Sequence, residues 1–159
     1  MITQERAKEL FSYSGGILTW RVKRRGVKIG REAGSLSNWG YRVVCVDGVI
    51  CSYHNIVYIY FNGKIKNEVD HIDGDPLNNN IENLRPCTHR QNSYNHKIRK
   101  DNTSGIKGVC WSKSANKWQA YMKAEGKRFH IDHFKNKSDA ERAIRTAREK
   151  YHKEFANHG

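Results

Sequence analysis

The sequence predicts an α+β fold in two parts, a mixed strand-and-helix unit over residues 1–100 and a smaller unit over 104–159. Three observations lead there. Apolar residues alternate at period two in several short runs and recur at spacings of three and four in others, the patterns of strands and helices. The run KIRKDNTSG (97–105) is polar, charged and turn-forming, which marks a linker with its boundary between about 98 and 104. Beyond it a pattern of three strands and one helix begins afresh.

Along the first part, TQERAKELF (3–11) places Ala7, Leu10 and Phe11 at helical spacing. Gly15-Gly16 breaks that helix, and Ile17–Trp20 reads as a strand. Arg21 to Arg31 contains Arg21, Lys23, Arg24, Arg25, Lys28 and Arg31 with no acid among them; it is either a solvated loop or a phosphate-contacting one, with Arg24 and Arg25 the candidates. Tyr41–Val46 and Val49–Tyr53 flank Asp47-Gly48, a pair suited to a type I′ hairpin turn. His54–Phe61 is apolar enough for a buried helix, closed by Asn62-Gly63, and His54 reads as a packed or capping residue.

Charge and cysteine usage bound the function. The 159 residues carry 29 Lys and Arg against 16 Asp and Glu, a net charge of +13. Such a surplus repels itself in the folded state, and a polyanion relieves it; nucleic acid is the leading candidate. The basic residues are spread along the chain with no dominant basic amphipathic helix, so no membrane partner is expected. No run of roughly 18 apolar residues is present, so no spanning helix is expected, and MITQERAKEL lacks the apolar core of a secretory signal. The four cysteines form no C-x-x-C pair, which points to reduced thiols, a cytoplasmic location and no structural zinc.

Residues 69–96 (VDHIDGDPLNNNIENLRPCTHRQNSYNH) are dense in oxygen and imidazole groups. Asp70 and His71 end a strand over Glu68–Ile72; Asp73-Gly74-Asp75-Pro76 and Asn78–Asn80 form a loop; Ile81–Leu84 returns as a second strand, stopped by Pro86. Thr88-x-x-Gln91 then matches a capping box, opening a helix on which Asn92 and His96 share a face. This order suits phosphodiester hydrolysis. A neutral imidazole accepts a proton from water, while a carboxylate and an amide oxygen are hard ligands that suit Mg²⁺ or Mn²⁺.

The run Val69-Asp70-His71-Ile72-Asp73-Gly74, with Asn79-Asn80-Ile81-Glu82-Asn83-Leu84-Arg85 and Asn92, resembles the HNH endonuclease motif, closest to the phage and intron-encoded homing group with a ββα-metal core. The resemblance implies that His71 is the general base, that Asp70 and Asn92 hold the divalent metal, and that Asn83 braces the loop and orients the base. It also makes His96 an additional ligand or phosphate contact. A phage-encoded chain of this kind would act in the host cell cytoplasm. Gly16, Leu18, Trp20, Gly40-Tyr41 and His54 recur in the same order in the N-terminal part of such proteins.

From Ser104 onward, strands are expected over Gly108–Ser112, Lys117–Lys123 and Arg128–Phe134. Period two puts Val109, Trp111, Trp118, Ala120, Met122, Phe129 and Ile131 on one face. Cys110, Ser112, Gln119, Tyr121, Lys123, Arg128 and His130 fall on the other. Ser138-x-x-Glu141 is a second capping box, and Ala140, Ala143, Ile144, Ala147, Tyr151 and Phe155 line one face of the helix behind it. A three-stranded antiparallel sheet packed on one helix follows, with its polar face uncovered: either an ordinary solvated surface or one that enters a DNA groove. Ser104-Gly-Ile-Lys-Gly-Val, Lys117-Trp118, Gly126-Lys127-Arg128 and the Ala-rich helix resemble an AP2-type DNA-binding domain. That resemblance makes Gln119, Tyr121, Lys123, Arg128 and His130 the candidates for base contact and Lys113, Lys117 and Lys127 the candidates for phosphate contact. Cys110 and Ser112 stand where the plant family has base-reading arginines, so no sequence preference carries over.

Together these readings predict a metal-dependent endonuclease acting on double-stranded DNA, with a non-catalytic DNA-binding regulator as the alternative. The sequence leaves the oligomeric state open.

Overall fold

The computed structural model describes residues 2–159. It divides into two compact units, Met1–Thr88 and His89–Gly159.

In the first unit, Thr3 caps helix α1 (Gln4–Leu10) by accepting from the Arg6 N–H at 3.2 Å. The helix stops one residue earlier than its apolar spacing suggests. Phe11 is extended and opens strand β1 (Phe11–Ser14), which pairs antiparallel with β2 (Ile17–Trp20). The sequence pattern does not reveal β1, because Phe11 satisfies the helical period and the strand period alike. The register sets Phe11 opposite Trp20, and their rings lie 4.6 Å apart in the core.

Strands β3 (Ser35–Leu36), β4 (Arg42–Val46) and β5 (Val49–Ser52) form a second sheet in sequence order. Its β4–β5 turn is the expected one, with Asp47 and Gly48 both at positive φ. Helix α2 (Tyr53–Asn62) follows and ends at Gly63, as expected. The core draws Leu10 and Phe11 from the N-terminal helix and strand, Leu18 and Trp20 from β2, Val44 and Val46 from β4, and Tyr53, Ile56 and Val57 from α2.

The last elements of this unit are β6 (Glu68–His71) and β7 (Leu84–Cys87), an antiparallel pair separated by an Asx-rich loop and a 3₁₀ turn over Ile81–Asn83. The second strand therefore starts where the sequence pattern ends it, and runs through Pro86. In a two-stranded sheet each strand has an unpaired edge, so a residue without an N–H is tolerated there.

The second unit begins with α3 (His89–Tyr94), directly after Thr88. The division lies upstream of the 97–105 stretch that the sequence marks as a linker, because Tyr94 and its neighbours pack on the C-terminal elements. Its ring stacks on His152 at 3.9 Å, its hydroxyl accepts from the Glu125 N–H at 2.8 Å, and Asn157 donates to the Asn95 carbonyl at 2.9 Å. His96 lies beyond the end of α3, so it does not share a helix face with Asn92.

Strands β8 (Val109–Ser112), β9 (Lys117–Ala124) and β10 (Lys127–Phe134) form the expected antiparallel sheet, order β10-β9-β8, on helix α4 (Lys137–His152). Val109, Ala120, Met122, Ala124, Ala140 and Ile144 are its buried centre, whereas Trp111, at the sheet end, stays exposed. The Ser138 capping box does not form. Asn136, itself a preferred cap residue, takes the N-cap position, and Glu141 pairs with Arg145 instead. Helix α4 buries Arg148 and His152 below Ala140 and Ile144 on the same line. Arg148 Nη2 donates to the Lys107 carbonyl, and His152 Nε2 to the Lys123 carbonyl at 2.8 Å. No helix among the described residues is long and apolar enough to cross a membrane.

Candidate active site

Strand β6 delivers Val69, Asp70 and His71, all buried. Its register with β7 sets Asp70 opposite Arg85. The guanidinium consequently reaches the Asp70 carboxylate, with Nε at 3.0 Å and Nη2 at 2.8 Å, both on Oδ2. Both side chains are largely shielded from water, so this charge-assisted contact is far stronger than a surface pair.

His71 Nε2 lies 3.2 Å from Asn79 Oδ1. The orientation of that amide follows from its other end: Asn79 Nδ2 donates to the Leu77 carbonyl at 3.1 Å, and a carbonyl can only accept. Oδ1 must therefore face the imidazole, the proton belongs on Nε2, and Nδ1 is the basic nitrogen of neutral His71.

The loop between the strands is held by its own side chains. Asn83 accepts from the Asp73 N–H at 3.1 Å and donates to Asp73 Oδ1 at 3.0 Å and to the Asn78 carbonyl at 2.8 Å. Its own carbonyl accepts from the Ile72 N–H at 2.8 Å, tying the loop to the residue after His71. Partial burial pushes the Asp73 carboxyl upward, but hydrogen bonds from the Asp75 N–H, Asn78 and Asn83 outweigh it and hold the group below its ordinary value. The N-terminal hairpin supports the loop from behind. Tyr13 Oη accepts from the Ile81 N–H at 2.9 Å, and Gly16 sits so close that a Cβ there would lie 3.0 Å from Asn80 N.

Two rings to which the sequence pattern assigns no site role pack on His71. The His54 ring, from the start of α2, lies 4.9 Å away edge-on, and the Tyr41 ring 6.3 Å away. Burial, then the neighbouring His71, pushes His54 down to about 4, so it is neutral near pH 7. The sequence carries one hint of this: His54 opens a helix whose following residues are mostly apolar. Asn79 and Arg85 belong to the motif, but spacing alone gives neither an individual role.

The Asp70 carboxylate is the kind of hard oxygen donor that would suit Mg²⁺ or Mn²⁺, and an ion that keeps several waters needs only one or two carboxylates. Among the described residues no cluster of three or more His, Cys, Asp or Glu is placed to hold a metal ion. Asn92 lies on α3 in the second unit; His96 is exposed after it, and its carbonyl accepts from Lys107 Nζ.

Of the expected DNA contacts, Arg24 is half-buried, 4.9 Å over the Trp20 ring and 3.3 Å from Asp47, whereas Arg25 is exposed. In the second unit, cross-strand pairs Cys110–Gln119, Tyr121–His130 and Lys123–Arg128 put these side chains on one sheet face. The Arg128 guanidinium lies 4.1 Å over the Tyr121 ring. Lys113, Lys123, Lys127, Arg128 and His130 are exposed, and Lys117, Gln119 and Tyr121 half-buried. A register shift between His130 and Asp132 sets His133 opposite Gln119, with its ring 4.7 Å from His130. Period-two counting cannot foresee such an irregularity. Cys110, Tyr121 and Lys123 also line a groove of about 640 Å³ together with the 93–103 segment.

The strand–loop–strand stretch with its histidine matches a known family. Residues 51–94 match the HNH endonuclease family. The chain is 48% identical over 63 residues to Protein 3.8 of Escherichia phage T7, covering 40% of this chain and 52% of that protein. It is 32% identical over 106 residues to an uncharacterized HNH endonuclease, L560, of Acanthamoeba polyphaga mimivirus, covering 65% of this chain and 54% of the relative. The chain thus spans about half the length of these curated relatives. No solved structure matches it.

Proposed function

We propose that the protein is a metal-dependent DNA endonuclease that hydrolyses phosphodiester bonds with His71 as general base. The observation that carries this reading is the buried Asp70-His71 pair, with Nε2 committed to Asn79, inside the stretch that matches the HNH endonuclease family. Neutral His71 takes a proton from water at Nδ1, the water oxygen attacks phosphorus, the P–O3′ bond breaks, and the departing 3′-oxygen takes a proton from solvent. Asn79 fixes the tautomer, and Asn83 holds the loop that carries Asn79. Asp70 is the proposed carboxylate ligand, held in place by Arg85, and the resemblance adds Asn92. A divalent ion, when bound, neutralises charge on the phosphate and on the departing oxygen. Product ends are a 5′-phosphate and a 3′-hydroxyl.

The net charge of +13 and the face bearing Gln119, Tyr121, Lys123, Arg128 and His130 support duplex DNA as substrate, gripped by an AP2-like second unit. The likeness to a phage protein supports action in the cytoplasm of an infected host; the homing role rests on the motif's resemblance to phage and intron-encoded enzymes. Supercoiled DNA carrying the native genomic neighbourhood tests the reading. Conversion to open circle or linear form with Mg²⁺, absent in EDTA, is the expected result. DNA that shifts in a gel yet stays intact under Mg²⁺ and Mn²⁺ would favour a non-catalytic regulator.

A further inference from the structure

The first unit displays an aromatic that its core does not use. Trp39 is 86% exposed at the turn between β3 and β4. The turn is ordered: the Ser37 N–H donates to the Tyr41 carbonyl at 2.8 Å and the Gly40 N–H to the Ser37 carbonyl at 3.0 Å. The indole is therefore presented to solvent on fixed backbone. Two residues on, the Tyr41 ring stands 5.9 Å from His54 and 6.3 Å from His71. Extended chain rises roughly 3.3 Å per residue, so the Trp39 backbone lies within about 7 Å of that of Tyr41. Bases along one DNA strand rise about 3.4 Å each, which puts the indole a few nucleotides from a phosphate attacked beside His71. Ser37–Tyr41 contains no acid, and the nearby Glu32 is paired with Arg42 at 2.6 Å, so nothing at the turn itself repels a phosphate chain.

We propose that Trp39 stacks on a nucleobase of the bound DNA, a few nucleotides from the phosphate that His71 addresses. The position relative to that phosphate rests on the nuclease reading; the stacking itself does not. An indole accepts any base on its π-face, so it adds grip without sequence preference. It also provides a wedge that can hold a base partly unstacked beside the site.

The test uses the full chain in EDTA, so binding is read without cleavage, with an oligothymidylate strand and a mixed-sequence duplex as probes. Saturating DNA should quench part of the indole emission of wild type, and Trp39→Phe should abolish that part while keeping most of the affinity. Trp39→Ala should lose about 5- to 150-fold in affinity, the range for one stacked base, with an unchanged unfolding midpoint. Equal quenching in wild type and Trp39→Phe, or undiminished affinity in Trp39→Ala, would overturn the proposal. So would self-association that Trp39→Ala abolishes, since the indole would then face another copy. If Trp39 is quenched but wild type with Mg²⁺ leaves DNA intact, the nuclease reading falls and the stacking stands. Cleavage without Trp39 quenching does the opposite: the nuclease reading stands and the stacking falls.

Discussion

Replacing Asn79 with leucine removes one hydrogen-bond partner of the imidazole proposed as general base while keeping the branched shape of the side chain. Asn79 is 3% exposed and its Oδ1 lies 3.2 Å from His71 Nε2. Without that acceptor the Nε2 proton loses a buried hydrogen bond, which costs about 1–3 kcal/mol. Moving the proton to Nδ1 escapes the cost but occupies the nitrogen that must receive a proton from water. At about 1.4 kcal/mol per factor of ten, the productive tautomer falls by about 5- to 150-fold. Single-turnover cleavage of Asn79→Leu should slow by that factor, with DNA affinity in EDTA little changed. The companion Asn79→Asp places a carboxylate beside Nε2 and favours the imidazolium. Because the base acts only when neutral, the acid limb of the pH–rate profile should move to higher pH. Wild-type cleavage by the leucine variant, or an unmoved acid limb in the aspartate variant, would refute the assignment of Nδ1 as the basic nitrogen.

Other expectations concern stability and DNA affinity. Gly34→Ala should destabilise the first unit by several kcal/mol in urea unfolding (about 3 or more), since φ is +80° and a Cβ would meet the Val43 carbonyl and, at 2.8 Å, Val44 Cγ2. Arg85→Met leaves the Asp70 carboxylate without its guanidinium and should cost roughly 3 kcal/mol; a loss below about 1 kcal/mol would mean that the pair is not shielded. His54 titrates near 4 when folded, below its unfolded value of about 6.5. Its contribution is thus complete above pH 6.5 and is lost as pH falls toward 4, up to about 3 kcal/mol; urea midpoints across that window should show the loss in wild type and a flatter response in His54→Phe. Lys123→Ala with Arg128→Ala should reduce the slope of log affinity against log salt by about 2, if each neutralises one phosphate.

Much of the fold was legible because short elements punctuated by turn residues leave little freedom. Asp47-Gly48 set one hairpin, and alternation set all three strands of the second unit. Legibility ended where two patterns coincide or where tertiary packing decides. Phe11 fits a helix and a strand equally, and Pro86 is excluded from a strand only if both edges are paired. The 97–105 stretch has linker composition, yet the unit boundary is set by what Tyr94 and Asn95 pack against. Within the site, His71 and Asp70 stood out through their company in one short motif. His54 and Tyr41 did not, because they reach His71 from separate places in the chain, the start of α2 and the turn before β4. Asn79 was hidden among neighbouring asparagines; only the Leu77 carbonyl, by fixing the amide, distinguishes it.

The most direct test of the central claim is chemical rescue of His71→Gly. The variant leaves an imidazole-sized space at a site 5% exposed, without its base. With Mg²⁺ and saturating DNA it should be inactive, and added imidazole should restore cleavage in proportion to the unprotonated fraction. Restoration that ignores pH, or a His71→Gly variant that cleaves at the wild-type rate without imidazole, would contradict the role of His71 as general base.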